Sequence, residues 1–559
     1  MDSSLVLLDW VVLGAYFFIL GLVVWWSSKK QDTSEDYFLA GRNIGWFAVG
    51  ASLFASNIGS EHIVGLAGSG ATRGMAMAHW ELHAWIMMML AWVFVPFYYR
   101  SGVFTMPEFL EKRFDSRTRW LLSCVSLVAY VFTKVSVTVY AGAKVFEALL
   151  PDLFSTPEMA FWVGAFTTVI LTGVYTIFGG LRAVVYTDTA QAMILLVGSA
   201  FITYFGLNKL GGWGQLQDAC QLNAANMALW NPLTDPDFPW LGVMIASPIV
   251  GIWYWCTDQY IVQRTLAAKN LTNARRGALW GGFLKVWPVF IFLVPGMIGY
   301  ALHKNGLISI PLKDNGNLDG DQVFSIMVMN LLPVGVRGLV VGGLLAALMS
   351  SLSSLFNSCA SLFTVDIYEK IKPGQSEKHL VTVGRFATGI VVGLGILWIP
   401  VMYRIADGGL YEYLQSVQSY LAPPITAVFL LGLFWKRINR HGAFWGLTVG
   451  FVLGMIKLTV QAFYGAGKIG NPAALAAVGD FNFLYFSGVL FIFSVILVIF
   501  ISLNSKEPAA EKVAGLTFQT FSAEDKKAIR ESWGKWDVLL TVATISLVIG
   551  IYLYFSFWI

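Results

Sequence analysis

The sequence is short of charge. Asp, Glu, Lys and Arg make up 13% of its residues, where an ordinary soluble chain carries about 25%. Cysteine is scarce too. Cys124, Cys220, Cys256 and Cys359 stand far apart, with no spacing for a disulfide framework or a zinc site. No phosphate-cradling glycine loop, metal-histidine motif or nucleophile elbow occurs. Their absence argues against an ATP-driven pump and against an enzyme, and no cofactor is expected. The formal net charge of +4 is small, and neither nucleic acid nor an obligate protein partner is expected. No basic stretch precedes the first apolar run. That run is too long for a secretory leader, so it reads as a first membrane span.

What is abundant is apolar sequence: 57% of residues, with a mean hydropathy of +0.65. Long apolar runs recur from end to end, the pattern of an all-α polytopic membrane protein. About 14 spans are expected, near 5–26, 44–70, 78–99, 119–150, 158–178, 183–207, 240–262, 276–302, 322–365, 381–402, 410–434, 441–463, 480–503 and 537–558. Basic residues choose sides. Lys29, Lys30 and Arg42 follow the first span, and Arg100, Lys112, Arg113, Arg117 and Arg119 follow the third. Arg264, Lys269, Arg275 and Arg276 follow the seventh, Lys370, Lys372 and Lys378 the ninth, and Lys436, Arg437 and Arg440 the eleventh. The positive-inside rule puts these loops in the cytoplasm and both termini outside a cell membrane. In the loop near 504–536, Ser522 and Asp525 form a helix-capping pattern. That loop is either a surface amphipathic helix or a solvated connector, and the connector is the preferred reading.

Polar residues at membrane depth are costly and mark functional sites. The stretch SNIGSEHIVG, 56–65, carries Asn57, Ser60, Glu61 and His62 among glycines at 50, 59, 65 and 68. Glycine, Asn and Ser weaken a helix, so a broken helix is expected whose freed carbonyls line a cavity. A close helix contact through small residues is the alternative. HWELHAW brings Glu81 into the third span. GIWYWCTDQYIVQR places aromatic faces beside Thr257, Asp258 and Gln259, which suits a sugar; an interfacial aromatic belt is the other reading. Lys285 is a buried partner or a snorkelling lysine, and Lys134 reads as snorkelling or as a structural ion pair. Asp188 lies near Arg182. Ser350, Ser351, Ser353 and Ser354 crowd the ninth span with hydroxyls suited to a hard cation; back-bonding to the helix is their other use. LYEYLQSVQSYLAPP adds Gln415 and Gln418, with Pro423 and Pro424 as kink points.

Taken in order, EDYFLAGRN, GASLFASNIGSEHIVGLAGSG, TMPEFLEKRF, YWCTDQYIVQRTLAAKN, LAALMSSLSSLFNS, FTVDIY and AVFLLGLFWKR resemble the sodium/solute symporter family, most closely its sodium/glucose cotransporter branch. The resemblance covers nearly the whole chain. It implies a LeuT-type core of two inverted five-helix repeats with broken first helices. The division would be 1–43 (extra span and first loop), 44–209 (first repeat), 210–239 (extracellular loop), 240–437 (second repeat) and 438–559 (extra spans). It also implies a first sodium site at the carbonyls of Ala55, Ile58 and Ala347 and the hydroxyls of Ser350 and Ser351. A second would use Asp188, Ser353 and Ser354 and share Ser350. Asn57, His62, Glu81, Tyr254, Trp255, Lys285 and Gln415 stand at the family's sugar-binding positions. Tyr254 would be an inner gate bonded to Asn57. Trp80 and Gly251 depart from the animal glucose transporters, which have Phe and Ser there. The implied activity is import of glucose or galactose with two sodium ions as co-substrates. Myo-inositol transport by the same fold, or a sugar-gated sensor or ion leak, are the alternatives.

Overall fold

In the computed structural model the described residues are 5–28, 31–59, 61–149, 154–313, 316–405, 410–465 and 472–559. Lys29, Lys30 and Ser60 lie outside them, and so does the side chain of Glu61. Among the described residues, twelve helices are long and apolar enough to cross a membrane. They become fourteen spans for two reasons. The helix Pro157–Leu210 divides at Gly180 (φ 53°), a left-handed conformation that glycine adopts without a Cβ penalty. Tyr175 donates to the Met349 carbonyl at 2.9 Å, and Asp188 accepts from Ser350 one residue further along. In a straight helix, positions 175 and 188 would be about 20 Å apart, so the chain reverses at Gly180. The second addition is the segment beginning at Trp46–Asn57, which is interrupted just past Asn57.

The ninth span is corrected. Instead of one run over 322–365, a separate helix Gly320–Leu331 ends before Pro333, and the span proper begins at Val336. Proline cannot continue the first helix, and Gly335 (φ 86°) turns the chain into the second. The eleventh span, Leu410–Phe434, runs unbroken through Pro423 and Pro424.

The long terminal loop is not a free connector. Helix Ala523–Glu531 is capped by a reciprocal Ser522–Asp525 pair. The Ser522 hydroxyl, and beyond it Arg100, hold the Asp525 carboxyl below its usual range. Arg100 pairs with Asp525 at 2.5 Å, Phe97 stacks on Phe521, and Phe434 stacks on Phe518. The loop therefore docks on the end of the bundle that carries the basic segments. Three of the arginines counted there, Arg113, Arg264 and Arg275, are fully buried.

Small residues set the helix spacing. Helix Trp46–Asn57 approaches helix Leu271–Leu284 through Gly50, where a Cβ would strike Trp280 and the Gly277 carbonyl. At Gly296, in Val294–Lys304, a Cβ would collide with the carbonyl of Ala67. Gly296→Val should cost roughly 1–3 kcal/mol or more by overpacking. A lower midpoint in detergent thermal unfolding, with Gly389→Ala unaffected because nothing lies within 4 Å of that Cβ, would be the expected outcome.

Candidate functional site

Two spans are broken along their length. Helix Trp46–Asn57 ends with Ile58 at φ −87°, ψ 88°, and helical winding resumes over Glu61–Leu66 as a π-turn. The break is therefore narrower than 56–65. Residues 56 and 57 still belong to the first half and 61–65 to the second. The glycines divide their roles: Gly59 sits in the break, while Gly50 and Gly68 serve close helix contacts. In the seventh span, Trp240–Ile252 passes into a π-turn, Trp253–Thr257. Asp258 is then extended (φ −82°, ψ 126°) before Gln259–Leu266 begins. Single π-turns inside helices cluster at functional sites.

Between the two breaks lies a cavity of about 610 Å³ including its mouth. Asn57, His62, Glu81, Tyr254, Trp255, Lys285 and Gln415, named from the sequence as one set, all line it. Lys285 does not snorkel: its Nζ donates to Glu81 Oε2 at 2.6 Å, and both residues are at most 2% exposed. His62 Nε2 stands 3.7 Å from the other carboxylate oxygen. Lys134, read as snorkelling or as a structural ion pair, forms the pair: it stands 2.6 Å from Asp258 Oδ2 and 4.7 Å from the centroid of the Tyr254 ring.

That pair corrects one expectation. Asp258 is 3% exposed and does not line the cavity, and its carboxylate is taken by Lys134 and Tyr130. Thr257 bonds back to Trp253, and Gln259 caps the backbone at Met106. Of that stretch, only Gly251, Tyr254, Trp255 and Tyr260 reach the cavity. Each lysine on its wall is thus matched by a carboxylate, leaving no spare charge for a carboxylated solute. What remains is neutral hydrogen-bonding capacity. Asn57 Nδ2, Trp80 Nε1 and Gln415 Oε1 are buried without a partner, and buried polar atoms normally have one. Hydroxyls of a polyol would supply it.

Sequence reasoning missed His83 and Thr138 on the wall. His83 Nε2 bonds Ser247 Oγ at 2.6 Å. Thr138 lies four residues beyond Lys134, so helical spacing from a residue already singled out would have found it.

A second polar cluster lies deeper. Asp188, fully buried, accepts from Ser52 at 2.6 Å, Ser56 at 3.0 Å and Ser350 at 2.5 Å. Ser351 Oγ donates to the Ser56 carbonyl at 3.2 Å, and Ser56 Oγ meets Ser354 Oγ at 3.1 Å. Ala55, Ile58 and Ala347 are buried as well. Ser353 back-bonds to Ser350 at 2.9 Å, the helix-internal use of a serine. The charge near Asp188 is not Arg182, which lies over Trp26. It is Arg264, 4.0 Å away, bonded to Ser354 and to the Tyr260 carbonyl. The sequence hid this residue among the basic loops.

The model of the Sodium:solute symporter family matches residues 37–450. The chain belongs to the sodium:solute symporter family. Sodium/glucose cotransporter 1 of Oryctolagus cuniculus is 40% identical over 529 residues, covering 89% of this chain and 79% of that protein. The sodium/myo-inositol cotransporter of Canis lupus familiaris is 38% identical over 555 residues, covering 93% and 76%. Sodium/myo-inositol cotransporter 2 of Homo sapiens is 40% identical over 539 residues, covering 92% and 79%. Among solved structures, a Na+-coupled sialic acid symporter in a substrate-bound outward-open state superposes with a TM-score of 0.75. The two are 22% identical, with 90% of this chain and 99% of that one covered. Mhp1, a nucleobase-cation-symport-1 family transporter, gives 0.51 at 14% identity, covering 88% and 97%. The fold is thus that of LeuT-type transporters, and this symporter is a multi-pass membrane protein.

Proposed function

We propose that this symporter imports a monosaccharide, glucose or galactose, driven by sodium and by alternating access between the two breaks. The observation that carries it is the cavity: a charge-balanced wall with unsatisfied Asn57, Trp80 and Gln415 beside the faces of Tyr254 and Trp255. Glu81 and Lys285 would bind sugar hydroxyls, with His62 beside them. Gln415 would hold the ring's rim, and Tyr254 would gate the inner side through Asn57. One sodium would sit among the carbonyls of Ala55, Ile58 and Ala347 and the hydroxyls of Ser350 and Ser351, tying the broken span to the ninth. A second would use Asp188, Ser350, Ser353 and Ser354. Two ions per sugar add about 2.3 kcal/mol of drive per charge for every 100 mV. The basic loops face the cytoplasm and both termini lie outside, with residues 44–209 and 240–437 as the moving repeats. An ion biases the states only by binding one of them better, and sugar must raise sodium affinity in return.

Myo-inositol is the second reading. It is favoured by relatives of that name at 38% and 40% identity, and a neutral six-hydroxyl ring satisfies the same orphaned groups. Uptake of labelled glucose, galactose and myo-inositol into proteoliposomes decides between them, with an inward sodium gradient and with potassium in its place. Sodium-driven accumulation of a hexose supports the proposal, and accumulation of myo-inositol alone moves the substrate to the second reading. If no solute in the panel accumulates, coupled transport of this class is refuted. Within an active preparation, Ser351→Ala should raise the half-saturating sodium concentration, and Gln415→Ala the half-saturating sugar concentration. Gln415→Ala loses roughly one hydrogen bond to the sugar, about 1–3 kcal/mol, and Ser351→Ala loses one oxygen ligand of the ion. Unchanged uptake in both would refute the site assignment.

A further inference from the structure

Asn357 is 1% exposed, and neither its Oδ1 nor its Nδ2 has a hydrogen-bond partner. An amide cut off from water and left unbonded at both ends is costly and needs a reason. Packing does not supply one, because an apolar side chain would fill the same volume without that cost. Its position does. Asn357 follows Ser350, Ser353 and Ser354 by seven, four and three residues, so it continues their face of the ninth span toward the end that carries the basic loops. The hydroxyls around it are already engaged: Ser358 bonds Gln263, and Ser361 bonds the Asn357 carbonyl. Seven residues further on, Thr364 Oγ1 is again buried without a partner. So is Asp366 Oδ2, although its other oxygen accepts from Thr105 and Arg119. Unsatisfied oxygens therefore stand at 357, 364 and 366 along the span that leads from the Asp188–serine cluster to the cytoplasmic end, about 10 Å per step from 350 to 357 and from 357 to 364.

We propose that Asn357 is a transient cation site, the first stop for sodium leaving the Asp188–Ser350–Ser354 cluster, with Thr364 as the next. The proposal rests on the sodium-coupled reading above. A hard cation takes oxygen ligands, and a neutral amide oxygen holds it weakly enough to let it go. An aspartate in its place would retain the ion.

The test uses the full chain in proteoliposomes, with external and internal sodium varied separately. Wild-type uptake without sodium dependence would sink the underlying reading together with this one. Given sodium-dependent wild-type uptake, Asn357→Leu should lower the maximal rate roughly tenfold while leaving the external half-saturating sodium concentration within about twofold. Asn357→Ser, which keeps an oxygen, should restore most of that rate. Asn357→Asp should let internal sodium inhibit at a roughly tenfold lower concentration, an effect that a packing role does not produce. The proposal is overturned if Asn357→Ser is as slow as Asn357→Leu. It is equally overturned if internal sodium inhibits Asn357→Asp and wild type alike. The aspartate variant decides the matter even where the leucine variant does not fold.

Discussion

Lys285→Ala should abolish uptake and also destabilise the protein, and the two losses should be separable. Lys285 and Glu81 are 2% and 1% exposed and sit 2.6 Å apart. Removing the lysine leaves a buried carboxylate whose nearest basic group is His62 Nε2 at 3.7 Å. Stranding one member of a buried ion pair costs roughly 3–5 kcal/mol, enough to lower the unfolding midpoint markedly in a protein of ordinary stability. Removing both charges is different, because neutral partners of similar volume replace a buried pair at little cost. Glu81→Gln with Lys285→Met should therefore recover most of the thermal stability. It should not recover uptake if the pair binds solute hydroxyls. Thermal unfolding in detergent and labelled-sugar uptake, run on both single variants and the double, form a cycle that isolates the coupling. A double variant that is stable and transports at the wild-type rate would show that the pair is scaffold and not a ligand. A double variant as unstable as Lys285→Ala would show that the single substitution acts by loss of packing and not by a stranded charge.

The number of spans was legible because apolar length and basic loops are local signals. Its failures were local too. The ninth span was drawn across LLPVGVRG, although Pro333 and Gly335 mark the boundary as clearly as sequence can. The first break was legible in Asn57 and Gly59, with its extent overdrawn. The second break, at Asp258, carries no glycine and emerged only through the family resemblance. So did the cavity wall. Asn57 and Gln415 are 358 positions apart, and no periodicity within a span brings them together. The set named by resemblance lines one cavity, and the resemblance was silent about His83 and Thr138 on the same wall. Charge misled most. Arg113, Arg264 and Arg275 lie in segments that obey the positive-inside pattern, yet all three are 0% exposed. A hydropathy window cannot distinguish an arginine in a loop from one buried against Asp188, because the partner lies on a different span.

That hidden arginine changes what a second sodium ion would have to do. Asp188 is already balanced by Arg264, whose guanidinium bonds Ser354, one of the hydroxyls the ion would use. Two cations would compete for one carboxylate and one serine, so sodium can enter only if the guanidinium yields. Asp188→Asn keeps the shape but turns one of the two oxygens that accept from the serines into a donor, and it strands Arg264, again at roughly 3–5 kcal/mol. The single variant should be poorly stable, whatever its effect on transport. Arg264→Gln leaves the carboxylate without its cation, and sodium should then stabilise the protein against heat more than it does the wild type. In the double variant Asp188→Asn, Arg264→Gln, both charges are gone and stability should return. Sugar uptake should then rise with sodium along a curve whose Hill slope falls from about two toward one, because, of the two proposed sites, only the one at Ala55, Ile58 and Ala347 would remain. The sodium dependence of initial uptake rates measures that slope. If the double variant keeps the wild-type slope, the second ion is not held by Asp188. If the wild type itself shows a slope of one, Arg264 is the resident cation and one sodium accompanies each sugar.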